Sequence, residues 1–329
     1  MTSLTIGKIR GLQEISTSDD LFTILALDQR GSLGKALGLD LDAPGAYTAM
    51  RDFKLAVLEA LIEHVSASLI DPEYVAAEAV ALGTLPGSRG LIVSLEKSGY
   101  LGEPVAREQT VIEGWSVRKV KMMGASAAKL FFDYHPQGPT AESQEQLVTT
   151  LVEAGREYDL PMLIEPVSYS VQPGISKKSA GFAETRPGVV IETVARIGAL
   201  GADVLKIEFP YDANFHDNDS DWVRACETIS EASPVPWALL SAGVDYDVFK
   251  GQVKAACQGG ASGFVAGRAI WKEAANLDGA ERTAWLRGTA VDRVKELVEI
   301  VHQYGRPWRE HYPDLVDSVQ EGWLAGYLE

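Results

Sequence analysis

Cysteine is nearly absent from this chain. The two present, Cys226 and Cys257, form no CxxC pair, which argues against a disulfide framework or a thiolate metal site and leaves them as reduced core thiols. Histidine is scarce as well: His64, His135, His216, His302 and His311 show no metal-ligand spacing. Neither a metal nor a cofactor is therefore expected. Positive charge is in deficit, with 30 Lys and Arg against 46 Asp and Glu and a formal net charge of −16. So acidic a surface repels nucleic acid and anionic membrane, and an anionic ligand would need a local basic site. No apolar run reaches the roughly 18 residues of a membrane span. The N-terminal MTSLTIGKIR has no apolar core behind its charges, so no signal peptide is read there and the cytoplasm is the expected location. Low-complexity tracts and interdomain linkers are also missing, which favours one domain over residues 1–329. A homo-oligomer is compatible with all of this.

What is present is an alternation. Eight short apolar runs recur: TILALD (23–28), ASLID (67–71), LIVSLE (91–96), AAKLFF (127–132), PMLIEP (161–166), DVLKIE (203–208), WALLSA (237–242) and SGFVAG (262–267). Near-continuous runs of this kind suit parallel strands covered on both faces. Between them lie helical patterns, as in 46–65, in 143–158 with Leu147, Val148, Leu151 and Val152 on one face, and in 283–305. Strands alternating with helices imply βαβ units, and eight of them predict an α/β fold, a closed (β/α)8 TIM barrel. A doubly wound sheet is the alternative, but no GxGxxG follows the first run.

In such a barrel the chemistry sits at the C-terminal ends of the strands. The reactive residue types do cluster there: Asp28-Gln29-Arg30, Glu96-Lys97, Lys129 with Asp133 and His135, Glu165, Lys206 with Glu208, Ser241-Ala242-Gly243, and Gly267-Arg268. Lys206 stands between Leu205 and Ile207, where an ordinary surface lysine does not belong. It reads either as a structural lysine paired with Glu208 or another strand's carboxylate, or as an amine made nucleophilic by burial. Lys129 stands in a similar run, and two neighbouring lysines disfavour each other's protonation; pairing of Lys129 with Glu165 or Asp28 is compatible with that. Glu165 reads as a lysine's partner or as the acid/base of imine formation, on a face that polarity alone leaves undetermined. Asp28 has the same two readings. Ser241 and Gly243, with Gly267 and Arg268, end the last two runs, where barrels of this kind commonly bind phosphate. His135 reads as a substrate contact or a solvated loop residue, and Glu96 is grouped with the substrate-binding residues.

Those segments resemble a known family, the class I tagatose 1,6-bisphosphate aldolases and their sulfofructose-phosphate aldolase relatives, within the deoxyribose-phosphate aldolase-like group. The resemblance runs through LALDQRG (25–31), LEKSGY (95–100), the 115–129 stretch, LIEP (163–166), ADVLKIEFP (202–210), LSAGV (240–244) and GRAIW (267–271). It implies that Lys206 forms the Schiff base and Glu165 transfers protons. It further implies that Asp28, Gln29 and Lys129 line the sugar hydroxyls, and that Ser241, Gly243, Gly267 and Arg268 hold the phosphate. The partner it implies is a small-molecule sugar phosphate. A sugar-phosphate isomerase or epimerase on the same barrel, using Glu165 as a carbon-acid base, is the rival reading; a barrel that senses a sugar phosphate without turnover is a third.

Overall fold

The computed structural model describes residues 4–216, 218–315 and 322–327. All eight apolar runs become strands: β1 (Phe22–Leu27), β2 (Ala67–Ile70), β3 (Gly90–Ser94), β4 (Ala127–Tyr134), β5 (Met162–Ser168), β6 (Val204–Ile207), β7 (Trp237–Leu240) and β8 (Gly263–Ala266). Each pairs in parallel with its neighbours in sequence, and β8 pairs with β1, so the sheet closes into a barrel. Helices fill the intervals, among them Ala46–Leu61, Ala141–Glu157, Ala180–Gly198 and Val291–Tyr304. The fold is the (β/α)8 barrel that the alternation predicts.

Side chains alternate along a strand, and the alternation explains why the runs are apolar throughout. Leu25, Leu130, Ile164, Leu205, Leu239 and Phe264 pack outward in the large cluster shared with the helices. Ile24, Leu69, Ile92, Ala127, Leu163, Val204, Ala238 and Val265 form the second, inner cluster. That inner cluster includes Leu12 and Ile15 of the N-terminal helix Ile6–Ile15, and Trp308, which close one end of the barrel. The amphipathic pattern of this helix was not read from the sequence.

Polar residues take over at the opposite, C-terminal end of the strands. A two-stranded hairpin, Leu101–Glu103 with Ala106–Glu108, rises there between β3 and β4. Its Arg107 lies over the rings of Tyr100 and Tyr169 and pairs with Asp133 at 3.2 Å, which ties the segments that follow β3 and β5 to the end of β4. Among the described residues no helix is long and apolar enough to cross a membrane.

Candidate active site

Alternation sets the direction of the charged side chains. Lys206 follows inner Val204, and Glu165 follows inner Leu163, so both turn into the barrel above its apolar filling. Lys206 Nζ meets Glu165 Oε1 at 2.8 Å. Glu165 Oε2 meets Lys129 Nζ at 2.7 Å. Lys129 also binds Asp28 at 2.7 Å and Glu96 at 2.9 Å. All five side chains are buried.

The two lysines are thus unequal. Isolating an ammonium from water costs several kcal/mol, and only close opposite charge offsets it. Burial would lower the pKa of Lys129, but Asp28, Glu165 and Glu96 outweigh burial and hold it above the ordinary lysine range. Lys129 is a fixed ammonium. Lys206 has one carboxylate, and shares it. The expectation that each lysine weakens the other's hold on its proton therefore does not hold for Lys129. For Asp28, burial raises the pKa, but Lys129 and Lys206 prevail and keep it well below the usual carboxylate range.

Glu208 is not the partner of Lys206. The strand ends at Ile207, and the Glu208 carboxylate turns away to Lys177 at 2.8 Å and Arg186 at 3.0 Å. It lines a small gap beside Pro166, Ser168, Val190, Thr193 and Ile207.

A cavity of about 220 Å³ opens over this cluster. Its lining brings together Asp28, Gln29, Glu96, Lys129, Glu165, Lys206 and Arg268 of the sequence-derived set. Arg30, Ser32, Lys97, Ser98 and Phe131 join them. Five cations (Arg30, Lys97, Lys129, Lys206, Arg268) face three carboxylates (Asp28, Glu96, Glu165), so the lining is basic in an acidic protein. Arg30 is already committed: it binds Glu73 and donates to the Glu96 carbonyl at 2.6 Å. Arg268 is half-buried, and its guanidinium has no hydrogen bond or ion pair among the described residues. Asp28 Oδ1 and Gln29 Oε1 are buried acceptors likewise without a partner. Unused buried polar groups are unusual and mark places where a ligand's own donors complete the set.

Of the loops after β7 and β8 only Arg268 lines this cavity; Ser241, Gly243 and Gly267, expected beside it, are not in the lining, and Gly243 packs against the Arg268 head. Ala242 and Gly243 both adopt left-handed backbone, φ 48° and 78°. The left-handed backbone favours glycine at 243, while a side chain there would start 3.2 Å from the Arg268 guanidinium carbon and ask that flexible head to shift by only a few tenths of an ångström. A side chain at 267 would meet the Ala26 carbonyl oxygen at 2.4 Å. Ser241 is buried beside this turn. His135 lies elsewhere. It lines a separate space of about 310 Å³ with Ser170, Gln172, Ile175, Phe182 and others, so the structure does not bring it to Lys206.

Comparison with known proteins adds to this geometry. Residues 22–273 match the family model described as DeoC/LacD family aldolase. The chain belongs to the DeoC/LacD family of aldolases. Tagatose 1,6-diphosphate aldolase of Listeria monocytogenes is 30% identical over 96% of this chain and 98% of its own. Tagatose 1,6-diphosphate aldolase 2 of Enterococcus faecalis is 30% identical over 94% and 97%. Among solved structures, fructose-bisphosphate aldolase from Plasmodium falciparum superposes with a TM-score of 0.71 at 14% identity, covering 93% of this chain and 98% of that one. An archaeal fructose-1,6-bisphosphate aldolase, whose catalytic Lys carries the carbinolamine intermediate, gives 0.58 at 18% identity, covering 90% and 99%. At these identities the structural likeness speaks to the fold.

In this DeoC/LacD aldolase the sequence reading missed Phe131, Ser32 and Ser98 as lining residues, and the Arg107, Lys177 and Arg186 ties around the mouth. Phe131 was findable: it lies two positions after Lys129, on the same face of β4.

Proposed function

We propose that this chain is a class I aldolase that cleaves a 1-phosphorylated ketose through a Schiff base on Lys206. The observation that carries the reading is the inequality of the two lysines. Lys129 is held by three carboxylates, whereas Lys206 is paired with a single carboxylate oxygen, Glu165 Oε1 at 2.8 Å, which sets a proton acceptor directly against its nitrogen.

The chemistry then follows in order. The Lys206 amine adds to the ketone carbon, and Glu165 moves the protons that let water leave, giving an iminium ion. Glu165, freed of the Lys206 ammonium, takes the C4 hydroxyl proton. The C3–C4 bond breaks, its electrons pass into the iminium, and an aldehyde departs. Protonation of the enamine and addition of water release dihydroxyacetone phosphate and restore the amine. Asp28, too weak a base at its depressed pKa, serves with Gln29 as an acceptor for sugar hydroxyls; each has one oxygen unused. Lys129 fixes Glu165 from the far side. Arg268, with the turn at Ser241–Gly243 and the Gly267 loop, holds the phosphate of the dihydroxyacetone half.

Relatives named tagatose 1,6-diphosphate aldolase, aligned over nearly their whole length, favour tagatose or fructose 1,6-bisphosphate as the substrate class. A 6-deoxy-6-sulfo ketose 1-phosphate also carries a tetrahedral anion at the far end. Borohydride added with each of the three ketoses, followed by peptide mass spectrometry, is the test. Mass gained on Lys206 with one of them supports the reading and names the sugar. Cleavage or isomerisation with no lysine trapped would establish an imine-free barrel enzyme instead.

A further inference from the structure

We infer that Glu208 is a positioning residue, which keeps Glu165 within reach of the Lys206 nitrogen while that nitrogen is bonded to substrate. The inference rests on the reading of Lys206 just given. It starts from where the β5–β6 pairing stops.

Strands β4 and β5 stay in register up to Tyr134 and Ser168. Strands β5 and β6 do not. Their register runs only through Leu163 with Val204 and Ile164 with Leu205. Pro166 follows, a residue with no N–H to give to a ladder. Glu165 and Lys206 therefore sit just beyond the last register pair of their shared seam. Above that point two side-chain links cross it. One is the Lys206–Glu165 ion pair at 2.8 Å. The other is a hydrogen bond of 2.6 Å from the Ser168 N–H to Glu208 Oε1.

The reaction removes the first link. Once Lys206 is bonded to the ketone carbon it is no longer an ammonium, and Glu165 must move protons instead of holding one charge in place. The Glu208 bond to Ser168, three residues past Glu165, is then what ties the end of β5 to β6. Misplacement of an acid/base by about 1 Å can cost on the order of 100-fold in rate.

Glu208 is built to hold during this exchange. It is buried, and its second oxygen takes both Lys177 and Arg186. Burial raises its pKa, but those two cations and the Ser168 bond prevail and bring it to about 2, so it stays charged throughout the working range. Neither cation lines the Lys206 cavity, so the charge of Glu208 is balanced from outside the site and does not compete for the Lys206 proton. Lys177 belongs to the loop after β5 and Arg186 to the helix Ala180–Gly198, so the same carboxylate fastens loop, helix and seam.

The test uses the full chain with Glu208→Gln and, separately, Lys177→Met. Wild-type protein is first trapped with borohydride and fructose or tagatose 1,6-bisphosphate, which reports on Lys206 alone. For Glu208→Gln, kcat is expected to fall about 10- to 100-fold, with KM changed less than about threefold because the Arg268 corner is untouched. Limited trypsinolysis after Lys177 or Lys178 is expected to speed up about tenfold, as the loop is released. Lys177→Met, which leaves Arg186 in place, is expected to lose about 3- to 10-fold in kcat and carries the test if the glutamine variant does not fold. A folded Glu208→Gln protein with kcat within about twofold of wild type would overturn the inference, as would unchanged kcat in Lys177→Met when that variant alone folds. If wild-type Lys206 is not trapped, the reading of the site fails. If it is trapped and the variants are as active as wild type, only the role of Glu208 fails.

Discussion

Lys206 Nζ lies 2.8 Å from Glu165 Oε1, and the other oxygen of that carboxylate already belongs to Lys129. Removing one lysine is therefore unlike removing the other. Lys206→Met should abolish cleavage and borohydride trapping, yet lose only about 1–3 kcal/mol of stability, since Glu165 keeps Lys129. Lys129→Met removes the ammonium shared by three buried carboxylates, leaves Asp28 without a partner while Glu165 keeps Lys206 and Glu96 keeps the Phe131 N–H, and should lose about 3–5 kcal/mol. Urea denaturation of the two variants checks this; equal stabilities would mean that Lys129 does not hold the cluster together.

Arg268, like Lys97, lines the cavity with no side-chain partner among the described residues, whereas Arg30 is already bound to Glu73. Arg268→Ala should raise KM for the phosphorylated ketose on the order of 10- to 150-fold, the worth of one charge-assisted contact. Arg30→Ala is the comparison, expected to act mainly on stability. A KM that rises with Arg30→Ala and not with Arg268→Ala would put the phosphate over β1 and reverse the substrate.

Activity should survive EDTA, because in the proposed chemistry the iminium on Lys206 takes the electrons that a metal ion would otherwise attract. Loss of turnover on chelation, restored by zinc, would sink the Schiff-base reading.

Acid should destabilise the fold in a defined window. The pKa of Glu208 is depressed from 4.5 to about 2, so its contribution is complete above the unfolded value and disappears as pH falls through the folded one. Wild type should lose on the order of 2–3 kcal/mol between about pH 4.5 and pH 2 from this group, with Asp28 adding to the loss. The difference in stability between wild type and Glu208→Gln, followed by denaturant titration, should shrink through that window. A difference independent of pH would show that Glu208 contributes by packing and not by charge.

The barrel was legible because its signal is local. Each strand announces itself as a run such as TILALD or WALLSA, and three of the longer helices, in 46–65, 143–158 and 283–305, as a three- and four-residue spacing. Barrel topology then puts the strand ends together, so Asp28, Gln29, Glu96, Lys129, Glu165, Lys206 and Arg268 could be named as a set that one cavity joins. What stayed hidden depends on pairings between distant residues. Nothing in DVLKIE says that Glu208 leaves the alternation and turns to Lys177 and Arg186, and of the three carboxylates on Lys129 the sequence offered Asp28 and Glu165 but not Glu96. His135 misled because it follows β4 at a strand end, while its side chain lies in another space. Arg107 sits on a hairpin of three-residue strands, too short to carry a readable period.

A basic cavity inside a −16 chain has a kinetic consequence. A phosphorylated ketose approaching from bulk water first meets the repulsion of the whole molecule, and only within a few ångströms the pull of the half-buried Arg268 and the buried Lys129. Salt does not weaken these two forces equally. At about 0.01 M the Debye length is near 30 Å and the outer repulsion is felt at full range; at about 0.15 M it is near 8 Å and the repulsion is largely gone, while the partly buried contacts are screened much less. Capture of substrate should accordingly speed up as salt is raised from very dilute buffer to physiological strength, the reverse of an enzyme that draws its anion in from afar.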